Sequence, residues 1–326
     1  MRSDPGADPP AVAAASARPA AVRDLLRRFG ILIAFLLLVV VLSFLSDSFL
    51  TVSNLLNIAR QVSINAIIAA GMTFVILTAG IDLSVGSVLA FSGAIIAGLL
   101  STGQPLLVGI VAGLLLGAVL GLVNGLIVTR GGVQPFIATL GMLTIARGAT
   151  LVYTDGRPIT GLPDAFVWLG AGDVGRVPVP VIVMALVFLA AYVVLTQTVL
   201  GRYIYAIGGN EEAARLSGVN VTLYKTLAYV LSGVLSAVSG IILTARLNSA
   251  QPTAGGGYEL DAIAAVVLGG TTLAGGEGSI TGTLLGAFII GVLNNGLNLL
   301  NVSSFYQQVV KGVVILLAVL LDRRLR

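Results

Sequence analysis

From about Leu55 the chain is apolar for long enough to cross a membrane, breaks at Gly80-Ile81-Asp82-Leu83-Ser84, and resumes as a second apolar run through Leu100. In water such a break is an ordinary corner. Between two membrane-embedded helices it frees backbone N–H and C=O groups at a depth where only protein or a watery cavity can satisfy them. A carboxyl group placed there is a functional-site candidate. Gly80, Asp82 and Ser84 are therefore read as pathway or gating residues. The alternative is a short aqueous loop in which Asp82 or Ser84 caps the next helix.

Composition supports the membrane setting. Only 10% of the residues are charged and 57% are hydrophobic, where a soluble domain carries about 25% charged residues. Cysteine and histidine are both absent, which excludes disulfides, a Cys/His zinc site, Ser-His-Asp chemistry and a histidine proton relay. No metal or cofactor is expected. The net charge of +4 has no soluble domain on which to form a nucleic-acid surface, so the basic residues read as topology markers.

Residues 1–22 are Ala/Pro/Ser-rich and read as a disordered cytoplasmic tail ahead of a transmembrane domain over 23–326. The apolar run Phe29–Leu45 is long for a signal peptide and lacks an Ala-x-Ala site, so it reads as the first span. The second span opens on Asn54, Asn57, Arg60, Gln61, Ser63 and Asn65, too polar a start for a lipid-facing surface. In the fourth, Gly109, Gly113, Gly117, Gly121 and Gly125 recur at every fourth position and mark a packing ridge. Residues 154–180 form the longest polar stretch between spans and are placed outside, with Asp155, Arg157 and Arg176 as candidates to dock a partner. A merely solvated loop is the other reading of those three.

Two polar elements follow. Residues 209–219 read as a short capped helix, with Asn210 as N-cap, Glu211 and Glu212 in the first turn and Gly218 past the end. Residues 258–273 are short, apolar and glycine-interrupted, which suggests a broken or re-entrant helix. Arg18, Arg23, Arg27, Arg28, Arg130, Arg202, Arg215, Lys225, Arg323, Arg324 and Arg326 flank one set of helix ends, against Arg157, Arg176 and Arg246 on the other. This asymmetry puts both termini inside and predicts an all-α polytopic protein of about ten spans.

The opening stretch also has a second copy. Asn65-Ala66-Ile67-Ile68-Ala69-Ala70 matches Asp261-Ala262-Ile263-Ala264-Ala265, and Ala79-Gly80-Ile81-Asp82-Leu83-Ser84 matches Ala274-Gly275-Gly276-Glu277-Gly278-Ser279. Matched Gly-interrupted segments are the best sequence pointer to a transport pathway. That adds Glu277 and Ser279 to the pathway candidates. Asn65, Asn294 and Asn295 join them as amides that either hydrogen-bond a substrate in the path or bond between helices.

No nucleotide-binding, nucleophile-elbow or zinc-protease motif is present, so an ATP-driven mechanism needs a separate hydrolytic subunit. Glu212-Ala213-Ala214-x-x-x-Gly218 resembles the Glu-Ala-Ala loop of membrane subunits of ATP-binding-cassette importers, without the hydrophobic–Pro continuation after the glycine. Gly71-Met72, Gly80 through Ser87, Pro135 through Met142, Tyr258 through Gly270 and Gly275 through Ser279 resemble the ribose-type sugar permeases of that class. The resemblance implies a homodimer in a bacterial inner membrane, a sugar-binding protein outside and an ATPase inside. It also implies that Asn210, Glu211, Glu212, Ala213, Ala214, Arg215 and Gly218 contact the ATPase, and that the path runs between the two copies. A permease for a branched-chain amino acid or nucleoside is the second expectation, with Asp82 or Arg147 as a charged partner for the substrate. An ion-coupled secondary transporter is the third.

Overall fold

The computed structural model describes residues 17–325. Its order is α1 (Ala17–Leu45), α2 (Val52–Leu77), α3 (Val85–Ser101), α4 (Leu106–Thr129), α5 (Pro135–Thr154), β1 (Ile159–Thr160), α6 (Asp164–Ala171), β2 (Asp173–Val174), β3 (Val177–Pro178), α7 (Val179–Gln197), α8 (Val199–Gly209), α9 (Glu211–Leu216), α10 (Val221–Leu247), β4 (Ser249–Ala250), α11 (Tyr258–Leu268), α12 (Ile280–Leu299) and α13 (Ser304–Leu325). The all-α expectation holds, the strands being two-residue antiparallel pairs, β1 with β4 and β2 with β3. Most of the expected tail lies outside the described residues, and its end, from Ala17, is already the start of α1.

Among the described residues, six helices are long and apolar enough to cross a membrane: α2, α4, α5, α7, α10 and α12. The apolar part of α1 (Gly30–Leu45) and α3 are shorter. The eighth expected span is not full length. α11 has 11 residues, about 16 Å at about 1.5 Å per residue, roughly half of a hydrocarbon core of about 30 Å. Six full-length candidates, two shorter apolar helices and one half-helix are coarser than a count of ten.

α10 is the hub, packed by α4, α2, α3 and α6. The glycine ridge explains its closest neighbour. Gly117, Gly121 and Gly125 lie on the α10 backbone at Gly233, Tyr229–Val230 and Thr226. A Cβ at Gly125 would stand 2.8 Å from the Thr226 Cα, so only glycine permits this approach. The other side of α10 receives α2, where Ser239 Oγ donates to the Ile64 carbonyl at 3.0 Å. α2 is thereby buried over most of its length from Ile58 onward; its first turns stay exposed at Val52, Ser53 and Asn57, while Asn54 bonds to Asn295 and Arg60 pairs with Asp173.

Candidate functional site

The first break runs from Thr78 to Ser84. Asp82 is buried, 1% exposed, and both of its carboxyl oxygens are occupied. Oδ1 accepts from the Ser84 N–H at 3.0 Å and the Ser84 hydroxyl at 2.6 Å, and Oδ2 accepts from the Ser232 hydroxyl at 2.8 Å. Ser84 Oγ in turn accepts from Asn124 Nδ2 at 2.9 Å. Ser232 stands near the middle of α10, a helix of 27 residues, so the break lies at mid-depth of the bundle. Thr78, Gly80, Asp82 and Ser84 are thus buried in protein while Ala79 is exposed, and the carboxyl ties the break to α10 and α4. Ser84 makes no side-chain cap for α3, and Asp82 binds the residue two positions on, as in an Asx turn. Gly80 is buried, and a Cβ there would stand 2.6 Å from the Tyr229 hydroxyl.

The second break, Ala274–Ser279, touches the first. The Gly276 N–H donates to the Leu77 carbonyl at 3.0 Å. Gly276 also abuts Gly208 and Gly209 at the end of α8, and the Tyr205 hydroxyl of α8 donates to the Gly278 carbonyl at 2.9 Å. Ser279 does cap its helix: Oγ accepts from the Gly282 N–H at 3.1 Å. Glu277 and Ser279 are both exposed.

α9 follows α8 directly. Asn210 Oδ1 accepts from the Ala213 N–H at 2.9 Å, the N-cap that its position predicts, and Gly218 takes a φ of 85° past the end. Ala214 packs with Ile207 and Val221. Glu211 bridges Arg215 and Lys225, at 2.8 Å each. The Lys225 hydrogen bond holds its carboxyl below the usual carboxylate range, against a smaller opposing effect of burial. Glu212, Ala213 and Leu216 remain exposed. Leu216, 81% exposed, is a surface feature that the motif did not single out, because a lone leucine on a six-residue helix has no periodicity to mark it.

At the other end of α10 a cavity of about 530 Å³ opens between α2, α10, α11, α12 and α13. It is lined by Asn65 and Asn294 together with Asp261 and Lys311, whose carboxylate and ammonium lie 3.0 Å apart. Asn295 belongs elsewhere. Its Nδ2 donates to Asn54 Oδ1 at 2.9 Å and its Oδ1 accepts from Asn54 Nδ2 at 3.1 Å, a clamp between α2 and α12. The adjacent asparagines, equivalent in sequence, thus divide between cavity and framework. Arg147, the other charged candidate, donates from Nη1 to the Pro252 and Ala254 carbonyls at 2.8 Å each, pinning the loop before α11.

Residues 54–319 match the family model described as branched-chain amino acid transport system / permease component. The chain belongs to this permease family. It is 59% identical to the ribose import permease protein of Bacillus subtilis (strain 168) over 92% of this chain and 94% of that one. It is also 59% identical to the ribose import permease protein of Escherichia coli (strain K12), over 90% and 92%. The D-allose transport system permease protein of the same organism is 43% identical over 91% of each chain. No solved structure matches.

The permease is accordingly a multi-pass membrane protein and a transport component rather than an enzyme. Its remaining candidates lie apart from both the breaks and the cavity. Asp155, Arg157 and Arg176 are exposed on the segment between α5 and α7. Asp173, which the sequence reading did not single out, anchors that segment through a 2.6 Å ion pair with Arg60 of α2.

Proposed function

We propose that this permease is the membrane subunit of an ABC importer that carries a monosaccharide, ribose or a related sugar. The observation that carries the reading is 59% identity, over nine-tenths of both chains, to ribose import permease proteins. The geometry agrees with a neutral cargo. The ammonium of an amino acid would want a free carboxylate in the path, yet the Asp82 oxygens are taken by serines and Asp261 by Lys311, and Arg147 is held by carbonyls.

The supporting assembly is a permease homodimer in the bacterial cytoplasmic membrane, with both termini inside, as the Lys/Arg asymmetry favours. An ATPase binds from the α9 side through Asn210–Arg215 and Gly218. A sugar-binding protein docks at the opposite face near Asp155, Arg157 and Arg176. Asn65 and Asn294 belong to the path, whereas the break at Gly80–Ser84 and the loop at Glu277–Ser279 act on it as hinge elements. Proteoliposomes holding the permease, its ATPase and the binding protein should take up ribose only with ATP inside. Uptake driven by a proton or sodium gradient with the permease alone would overturn the assignment.

A further inference from the structure

We propose that each permease subunit contains, in the cavity between α2, α10, α11, α12 and α13, its own binding site for one neutral polyhydroxylated sugar. The inference rests on the transport reading and goes beyond it, since a path between two copies does not require a site inside one. Three observations carry it.

The first is an unmet acceptor. Asn294 lines the cavity, is 8% exposed, and its Oδ1 has no hydrogen-bond partner. The Asn65 Oδ1, on the facing helix α2, is likewise buried and unpartnered. A buried carbonyl oxygen left without a donor is unfavourable, and two of them on residues that line one cavity are an arrangement that a molecule with several hydroxyl donors completes.

The second is charge. Asp261 is the single carboxylate among the lining residues, and it is already engaged. Lys311 Nζ donates to it at 3.0 Å, and Asn65 Nδ2 approaches the same oxygen at 3.5 Å. The ammonium of an amino acid would find no carboxylate free, and would meet Lys311 and Arg246 instead. A hydroxyl group donates to the asparagine oxygens and accepts from those cations without paying to neutralise a charge of its own.

The third is position. The cavity lies at the end of α10 remote from α9, beneath the loop that Arg147 holds. A sugar there would be inside the bundle while still on the far side of both breaks from the α9 face.

Saturation-transfer NMR on the full-length permease in lipid nanodiscs, with D-ribose and L-leucine as probes, tests the site. D-ribose should receive saturation and leucine at least fivefold less. Asn294→Leu and Asn65→Leu should each lower the ribose signal at least threefold, and the pair tenfold. Asn294→Gln, which keeps a carbonyl oxygen, should retain at least half, and Val152→Ala, exposed on α5 and outside the cavity, all of it. Equal ribose signals in wild type and the double variant, or leucine as strong as ribose, would overturn the proposal and leave only water on these oxygens. Should Asn294→Leu fail to insert, the ribose-to-leucine ratio of the wild type still decides. Uptake by the complete importer separates the two readings: if none of ribose, allose or arabinose is taken up, the sugar assignment falls and the site with it. Ribose uptake without ribose saturation removes the site alone.

Discussion

The two breaks start from matching sequences and end in opposite environments. At the first, Asp82 is buried at mid-depth and its oxygens are consumed by Ser84 and Ser232. At the second, Glu277 is exposed and the backbone turns on left-handed glycines, Gly275 at φ 86° and Gly276 at φ 76°. Their serines also diverge, since Ser84 serves the carboxyl while Ser279 caps a helix. A side chain that locks a break to the core makes it a fixed point. A break built on glycines packs instead against Gly208 and Gly209 at the end of α8, next to α9. Under the coupling role proposed for α9, the pattern that reads as one duplicated element divides into an anchor and a transmitter, joined by the Gly276–Leu77 hydrogen bond.

The largest effect should come from the transmitter end. Glu212 is exposed on α9, so Glu212→Lys should leave insertion and thermal stability unchanged while abolishing sugar-stimulated ATP hydrolysis in the reconstituted importer. Normal stimulated hydrolysis would remove α9 from the coupling role. The anchor should show the reverse balance. Asp82→Asn replaces one acceptor oxygen with an NH2 donor that faces the Ser84 or Ser232 donors, and leaving one such group unmet costs about 1–3 kcal/mol. Its thermal midpoint and its uptake should both fall, with the ATPase still bound. Unchanged stability would mean that the buried network does not hold the break.

These contrasts show what was legible in the chain. The breaks were readable because Gly, Asp and Ser interrupt apolar runs, and α9 because its cap and its terminal glycine are local signals. The partners of Asp82 were not, since Ser232 and Asn124 lie far along the chain and any buried serine or asparagine reads alike. The same holds for Asn294 and Asn295. Only tertiary packing decides which of two neighbours faces a cavity and which clamps a helix. The half-length of α11 was legible only as an oddity, for a short apolar run ending in glycines does not say how deep it starts.

Smaller effects refine the division. Gly276→Ala must hold a left-handed φ, costing about 1–2 kcal/mol for a residue with a side chain, and its Cβ would stand 2.6 Å from the Gly209 N–H nitrogen. Stimulated ATPase activity should fall severalfold with basal hydrolysis retained. If both fall together, the contact is structural and not a transmitter. Glu277→Gln, on the exposed side, should shift stability by no more than about 0.5 kcal/mol. A loss matching that of Asp82→Asn would make the breaks equivalent after all.

The smallest effect belongs to the ion pairs beside the transmitter. Glu211 is held below its ordinary value of 4.5, chiefly by Lys225. A carboxyl with a lowered value contributes stability that is fully present above 4.5 and is lost as pH falls through the lowered value. Its side chain is 41% exposed, so solvent screening limits the contribution to under about 1 kcal/mol. The thermal midpoints of wild type and Glu211→Gln should therefore differ slightly at pH 7 and converge as the pH falls below 4.5. A gap that persisted or widened in acid would show that Glu211 acts through packing rather than charge. The α9 end would then be held as rigidly as the Asp82 anchor.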